Sequence, residues 1–145
     1  VANVKKVRAM AAERLGPDVE VIGAFLGIRG PRPGIEALGG LAGVPLLILT
    51  DSRWFFFVVT AAVFAGVAFA RRHYTVIRTA DAVLLIDHGR RSRPSADANV
   101  TRLPPDSITV SDADGDPAAT VGHLGLWLRG DHQDEARRLS RLARR

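Results

Sequence analysis

The sequence contains no cysteine. That excludes disulfides and thiolate metal sites and agrees with a reducing compartment. Lysine is nearly absent as well: Lys5 and Lys6 are the only two, so arginine carries most of the positive charge behind a net charge of +5 and a pI of about 10.9. The excess is thin wherever it falls. Residues 1–35 hold six Lys/Arg against three acids, and residues 71–145 hold 13 against 10. No recognition helix with base-reading polar residues is present, nor a stacking pair of aromatics on adjacent strands, so nucleic acid is not an expected partner. Catalytic signatures are missing too. There is no Gly-x-Ser-x-Gly elbow to present a nucleophile, and the four histidines (His73, His88, His123, His132) form no i, i+4 pair for zinc. The glycines of Gly27–Gly34 do not fit a phosphate loop, because Pro31 and Pro33 remove amide donors. Asp112-Ala-Asp-Gly-Asp116 begins like a calcium loop, but Pro117 and His123 stand where that loop needs Gly and Glu. It reads as an Asp114-Gly115 hairpin turn. Catalytic residues, metal ligands and cofactors are therefore not expected, and neither is enzymatic activity.

What the chain does have is one long apolar stretch, residues 34–70. Trp54 to Ala70 carries no charge over 17 residues, Ala37 to Thr50 is also uncharged, and only Asp51-Ser52-Arg53 separates them. Two apolar runs around a short polar turn predict a helical hairpin. At about 1.5 Å per residue, 17 residues reach roughly 25 Å, a little short of a hydrocarbon core of about 30 Å. The second run has aromatic and small residues on every side and no polar face to offer water. This points to a transmembrane or re-entrant hairpin. Gly39 and Gly43 are four apart, as are Ala62, Gly66 and Ala70, a spacing that lets helix backbones approach closely in lipid. Gly39, Gly43, Ala62 and Gly66 are the candidate helix-packing positions. Arg29, Arg32, Arg71 and Arg72 flank the hairpin on one side and Arg53 alone on the other, which by the positive-inside rule puts both termini in the cytoplasm.

The flanks have a different period. In Asn3 to Leu15, Val4, Val7, Ala11 and Leu15 make one apolar stripe, Asn3 is a fitting cap and Gly16-Pro17 a stop. Val19 to Leu26 predicts a strand. Tyr74–Thr79 and Ala82–Ile86 predict two more, the second continuously apolar as in a central strand. Val100–Leu103, Ser107–Val110 and Thr120–Arg129 follow as strands. Asp131 to Arg145 predicts an amphipathic helix capped by Asp131, with Asp134 and Glu135 in its first turn. Arg90, Arg91 and Arg93 form the densest exposed basic cluster, suited to anionic lipid headgroups at about 1 kcal/mol per residue.

Short strands closed by one C-terminal helix resemble a pleckstrin-homology-like (PH-like) fold. The order of features resembles small actinobacterial membrane proteins with a bacterial PH-like domain, some of which carry a transmembrane hairpin. The resemblance is carried by Leu15-Gly-Pro-Asp-Val-Glu-Val21, by Tyr74-Thr-Val-Ile-Arg-Thr-Ala-Asp-Ala-Val-Leu-Leu-Ile-Asp87, by Arg102-Leu-Pro104, and by the closing Trp127 strand and helix. The family's usual Thr-Asp-Arg-Arg turn is replaced by Thr79-Ala80-Asp81-Ala82, which removes the basic turn expected to hold phosphoinositide-type headgroups.

The expected architecture is an α+β membrane protein: residues 1–33 as N-terminal helix and first strand, 34–70 as transmembrane hairpin, and 71–145 as a PH-like antiparallel β-domain with a C-terminal capping helix. The expected location is the plasma membrane, multi-pass. The expected role is a non-enzymatic binding or scaffolding module that contacts lipid headgroups or a protein partner at the cytoplasmic face. The alternative is a structural subunit whose hairpin packs with other membrane helices, including copies of itself.

Overall fold

The computed structural model describes residues 3–32, 34–50, 53–90, 98–112 and 118–143. In chain order they form α1 (Val4–Leu15), β1 (Val21–Arg29), α2 (Ile35–Thr50), α3 (Arg53–Ala70), β2 (Arg72–Thr79), β3 (Val83–Asp87), β4 (Asn99–Leu103), β5 (Ile108–Val110), β6 (Ala119–Val121), β7 (Leu124–Leu126) and α4 (Asp131–Leu142). The protein is α+β with two antiparallel sheets, ordered β1-β2-β3-β4 and β5-β6-β7. It divides into two compact units, one of residues 1–29 with 72–145 and one of residues 30–71.

In the first unit, β1 pairs with β2 across the intervening helices, from Val21↔Thr79 to Arg29↔Arg72. Strand side chains alternate between faces, so β2 and β3 feed two cores. Ile77 and Ile86 pack with Val21 and Ala24 against Val7 and Ala11 of α1. Tyr74, Val76, Val83 and Leu85 join Phe25, Leu126 and Leu139 in the larger core. With both faces covered, β2 is buried at every residue from Tyr74 to Thr79. Asn3 caps α1 as expected, its Oδ1 accepting from the Lys5 amide at 2.9 Å.

Three expectations need correction. The first strand runs Val21–Arg29, not Val19–Leu26. It continues through Gly27, where a Cβ would lie 2.9 Å from the Leu126 side chain, so only glycine lets β1 come this close to β7. The strand expected over Thr120–Arg129 is broken at Gly122-His123 into β6 and β7, which pair with each other. Gly122 takes φ +62°, and its amide donates to the Ser107 carbonyl at 2.9 Å. Asp131 does not cap α4. Gly130 holds that position without a side-chain bond, and Asp131 Oδ2 accepts from the Val4 amide at 3.3 Å in the first turn of α1, which has no acid of its own there. On α3 the half-buried Phe56, Val59, Thr60, Val63 and Val67 recur at helical spacing, whereas Ala62 and Gly66 are exposed.

The second unit is that helix pair. Gly30 closes its base at φ +128°, where a Cβ would stand 2.7 Å from the Ala70 carbonyl. No residue of α3 is buried. By length and composition, among the described residues only α3 is long and apolar enough to cross a membrane. The 16 residues of α2 reach about 24 Å. Gly39 and Gly43 fall on α2, but their surroundings lie outside what the structure describes, as do Asp51, Ser52 and the Asp114-Gly115 turn.

Candidate functional site

The basic residues singled out from sequence are placed as follows. Arg90 is exposed just beyond β3, and Arg91 and Arg93 lie outside the described residues. Arg29 and Arg72 stand opposite each other at the end of the β1–β2 ladder, where Arg72 reaches Asp87 at 3.5 Å. Arg32 is exposed and Arg71 half-buried. These positions read as flanks, not as a pocket.

The structure does hold a cavity of about 260 Å³, built within the first unit between α1 and the β1–β2–β3 face. Its apolar wall comes from Met10 and Ala11 of α1, Leu26 of β1, Ile77 of β2, Ile86 of β3 and the Trp127 ring. Trp127 is set there because it extends β7 into a bridge with Ile28. The Ile28 amide donates to the Trp127 carbonyl at 3.0 Å, and the Trp127 amide to the Ile28 carbonyl at 2.8 Å.

The polar lining is basic: Arg14, Arg129, His73, His88 and His132, with Thr75 and Tyr74 and, among the described residues, no acidic side chain. His132 is 1% exposed, and its Nδ1 accepts from the Leu26 amide at 3.4 Å on the free edge of β1. His88 is also buried, and its Nε2 lies 2.8 Å from Thr75 Oγ1. Its Nδ1 is buried with no hydrogen-bond partner. Burial holds the His88 pKa below its ordinary value, helped by the charges of Arg14 and His73, while Asp87 pulls the other way. His88 is accordingly neutral at pH 7.

The distance between Thr75 and His88 would suit a nucleophile and its base. A working triad also needs a group at the far imidazole nitrogen to hold the tautomer. Asp87 is occupied elsewhere, accepting from the Gly89 amide at 2.7 Å and facing Arg72. Thr75 and His88 thus stand at hydrogen-bond distance, and among the described residues His88 Nδ1 has no partner. Among the described residues, no three His, Asp or Glu side chains are placed to share a metal ion.

Sequence reasoning missed this site because its residues are far apart in the chain. His73, His88 and His132 show no ligand spacing, and only the strand pairing gathers them. Arg78 was missed as well. It is 8% exposed on β2, with Nε and Nη1 buried and unpartnered, and it does not line the cavity. In comparisons with known proteins, no family model, curated protein or solved structure matches the chain.

Proposed function

We propose that the protein is a non-enzymatic binding module anchored in the plasma membrane by α2 and α3, with the split α+β unit on the cytoplasmic side. The observation that carries this reading is the exposure of large apolar side chains on the helix pair: Leu49 at 80%, Trp54 at 78% and Ile48 at 76%. Exposed patches of this extent mark a surface made for lipid or protein. Arg29, Arg32, Arg71 and Arg72 at the base of the pair favour a cytoplasmic location for both termini. A PH-like assignment for the folded unit is supported by its short antiparallel strands and closing helix. Lipid headgroups reached by Arg90, Arg91 and Arg93, or a protein partner, are its proposed contacts. A second reading, a structural subunit packing against other membrane helices or its own copies, is favoured by Ala62 and Gly66, which lie exposed four residues apart on α3.

Membrane fractionation tests the anchor. The full chain is expected in the membrane pellet after both carbonate and high-salt washes, and in the soluble fraction only with detergent. Burial in lipid does not depend on screened surface charge. Release by salt alone would mean peripheral attachment and would end the anchoring model.

A further inference from the structure

We infer that the cavity beneath α1 binds a small amphipathic monoanion: an apolar body of about eight to ten carbons carrying one carboxylate, with the head at His88, Arg14 and Arg129 and the body against Met10, Leu26, Ile86 and Trp127. This deepens the reading of the folded unit as a binding module and rests on that reading, though not on membrane insertion.

Size sets the body. An apolar cavity of about 150 Å³ accommodates benzene, and drug-sized ligands occupy about 300 Å³ or more. A cavity of 260 Å³ lies between these limits. It suits a short chain or a single substituted ring and is too small for a whole phospholipid.

Polarity sets the head. Of the residues lining the cavity, His88 alone keeps a buried side-chain nitrogen without a hydrogen bond. A buried polar atom left unpaired is costly, and a ligand atom that reaches it recovers the loss. When the Thr75 hydroxyl donates to Nε2, the neutral ring carries its proton on Nδ1 and offers a donor. Among the described residues the lining adds two guanidinium groups and no carboxylate, so a cationic head is repelled and an anionic acceptor attracted. A single charge is favoured over a phosphate dianion, because the surrounding wall is apolar and the cost of desolvation rises steeply with charge. The two oxygens of a carboxylate also match the fork of an arginine.

The test is a titration of the full chain in zwitterionic lipid discs, or in buffer should it need no lipid. Trp127 is the reporter, in a Trp54→Phe background, since these are the only two tryptophans. Octanoate is expected to give a saturable change in Trp127 emission. Octan-1-ol should bind at least about tenfold more weakly, having lost the charge-assisted bonds, and octyltrimethylammonium should give no saturable change. Arg14→Gln and Arg129→Gln, both at exposed positions, should each weaken octanoate several-fold while leaving the circular dichroism unchanged. Equal affinity for octanol and octanoate, or indifference to both arginine substitutions, would overturn the assignment of the head. No saturable response to octanoate would overturn the site itself. Fractionation reports on the helix pair and the titration on the folded unit, so failure of one is distinguishable from failure of the other.

Discussion

The two units are both rich in apolar residues and use them in opposite ways. In the folded unit, Phe25, Ile77, Val83 and Leu126 are fully buried. In the helix pair, α3 buries nothing, and Phe57, Val58, Phe64 and Phe69 are exposed on a helix without one charged residue after Arg53. The helix pair is the more hydrophobic of the two, and the period of its apolar residues differs as well. The folded unit alternates along strands and repeats at helical spacing in α1, so each element has an inside. The helix pair has no polar face and hence no inside of its own in water. The junction is economical: Arg29 and Arg72 are direct cross-strand partners, so 42 residues leave and re-enter the sheet at one point of a continuous ladder. Closure entropy grows only slowly with loop length, which makes such an insertion tolerable to the fold.

The largest expected effect comes from cutting the folded unit where the helix pair enters it. Residues 72–145 alone lose α1 and β1, and with them Phe25, Ala24 and Val21 from both cores. Loss of a buried phenylalanine side chain costs about 3–5 kcal/mol, against a usual total of about 5–15 kcal/mol for a domain. The exposed edge of β2 would also invite aggregation. A chain joining residues 1–29 to 72–145 through a short Gly/Asn turn should melt cooperatively with dispersed amide resonances, whereas 72–145 alone should do neither. If 72–145 alone behaves as a cooperative domain, β1 is dispensable and the two units are not divided as described.

A smaller effect sharpens the contrast in what faces each surface. Phe57 and Val100 are both exposed, at 60% and 52%, one on α3 and one on β4. If α3 lies in lipid, Phe57→Arg should weaken insertion by about 2.5–3.5 kcal/mol on insertion scales, enough to move much of the chain out of the membrane pellet. Val100→Arg should leave fractionation unchanged and alter stability by no more than about 0.5 kcal/mol, as usual for surface sites. Equal, small effects would mean that both positions face water.

Elements with a clear period were legible in the sequence, and so was their assignment to faces. The α1 stripe delivered Val7 and Ala11 to one core, and the alternation in β2 separated Tyr74 and Val76 from Ile77. Positions decided by neighbours remote in sequence were not legible. Gly27 extends β1 because Leu126 sits beside it, Asp131 serves α1 instead of its own helix, and the strand after Ala119 turns back at Gly122. The cavity was the least visible of all. Its polar residues come from α1, β2, the end of β3, the segment leading into α4 and the first turn of α4 itself, and no short motif spans such a set.

The smallest expected effect distinguishes the units by pH. The described span of α3 after Arg53 has no titratable side chain, so membrane association through it should not change between pH 7.5 and 5.5. The folded unit should change, through His88. Its pKa is lowered in the native state by burial and by Arg14 on α1, with a further push from His73 on β2 and an opposing pull from Asp87 on β3. Above about pH 6.5 both folded and unfolded chains hold a neutral imidazole, and the full stability is present. As the pH falls below that value the unfolded chain takes up a proton that the native site resists, so stability declines until the lower native pKa is passed. The informative quantity is a difference between two proteins. The melting temperature of His88→Gln should fall less than that of the unsubstituted protein between pH 7.5 and 5.5, by a few degrees at most for a domain of this size. Identical pH slopes in the two proteins would show that His88 is not held neutral by its site.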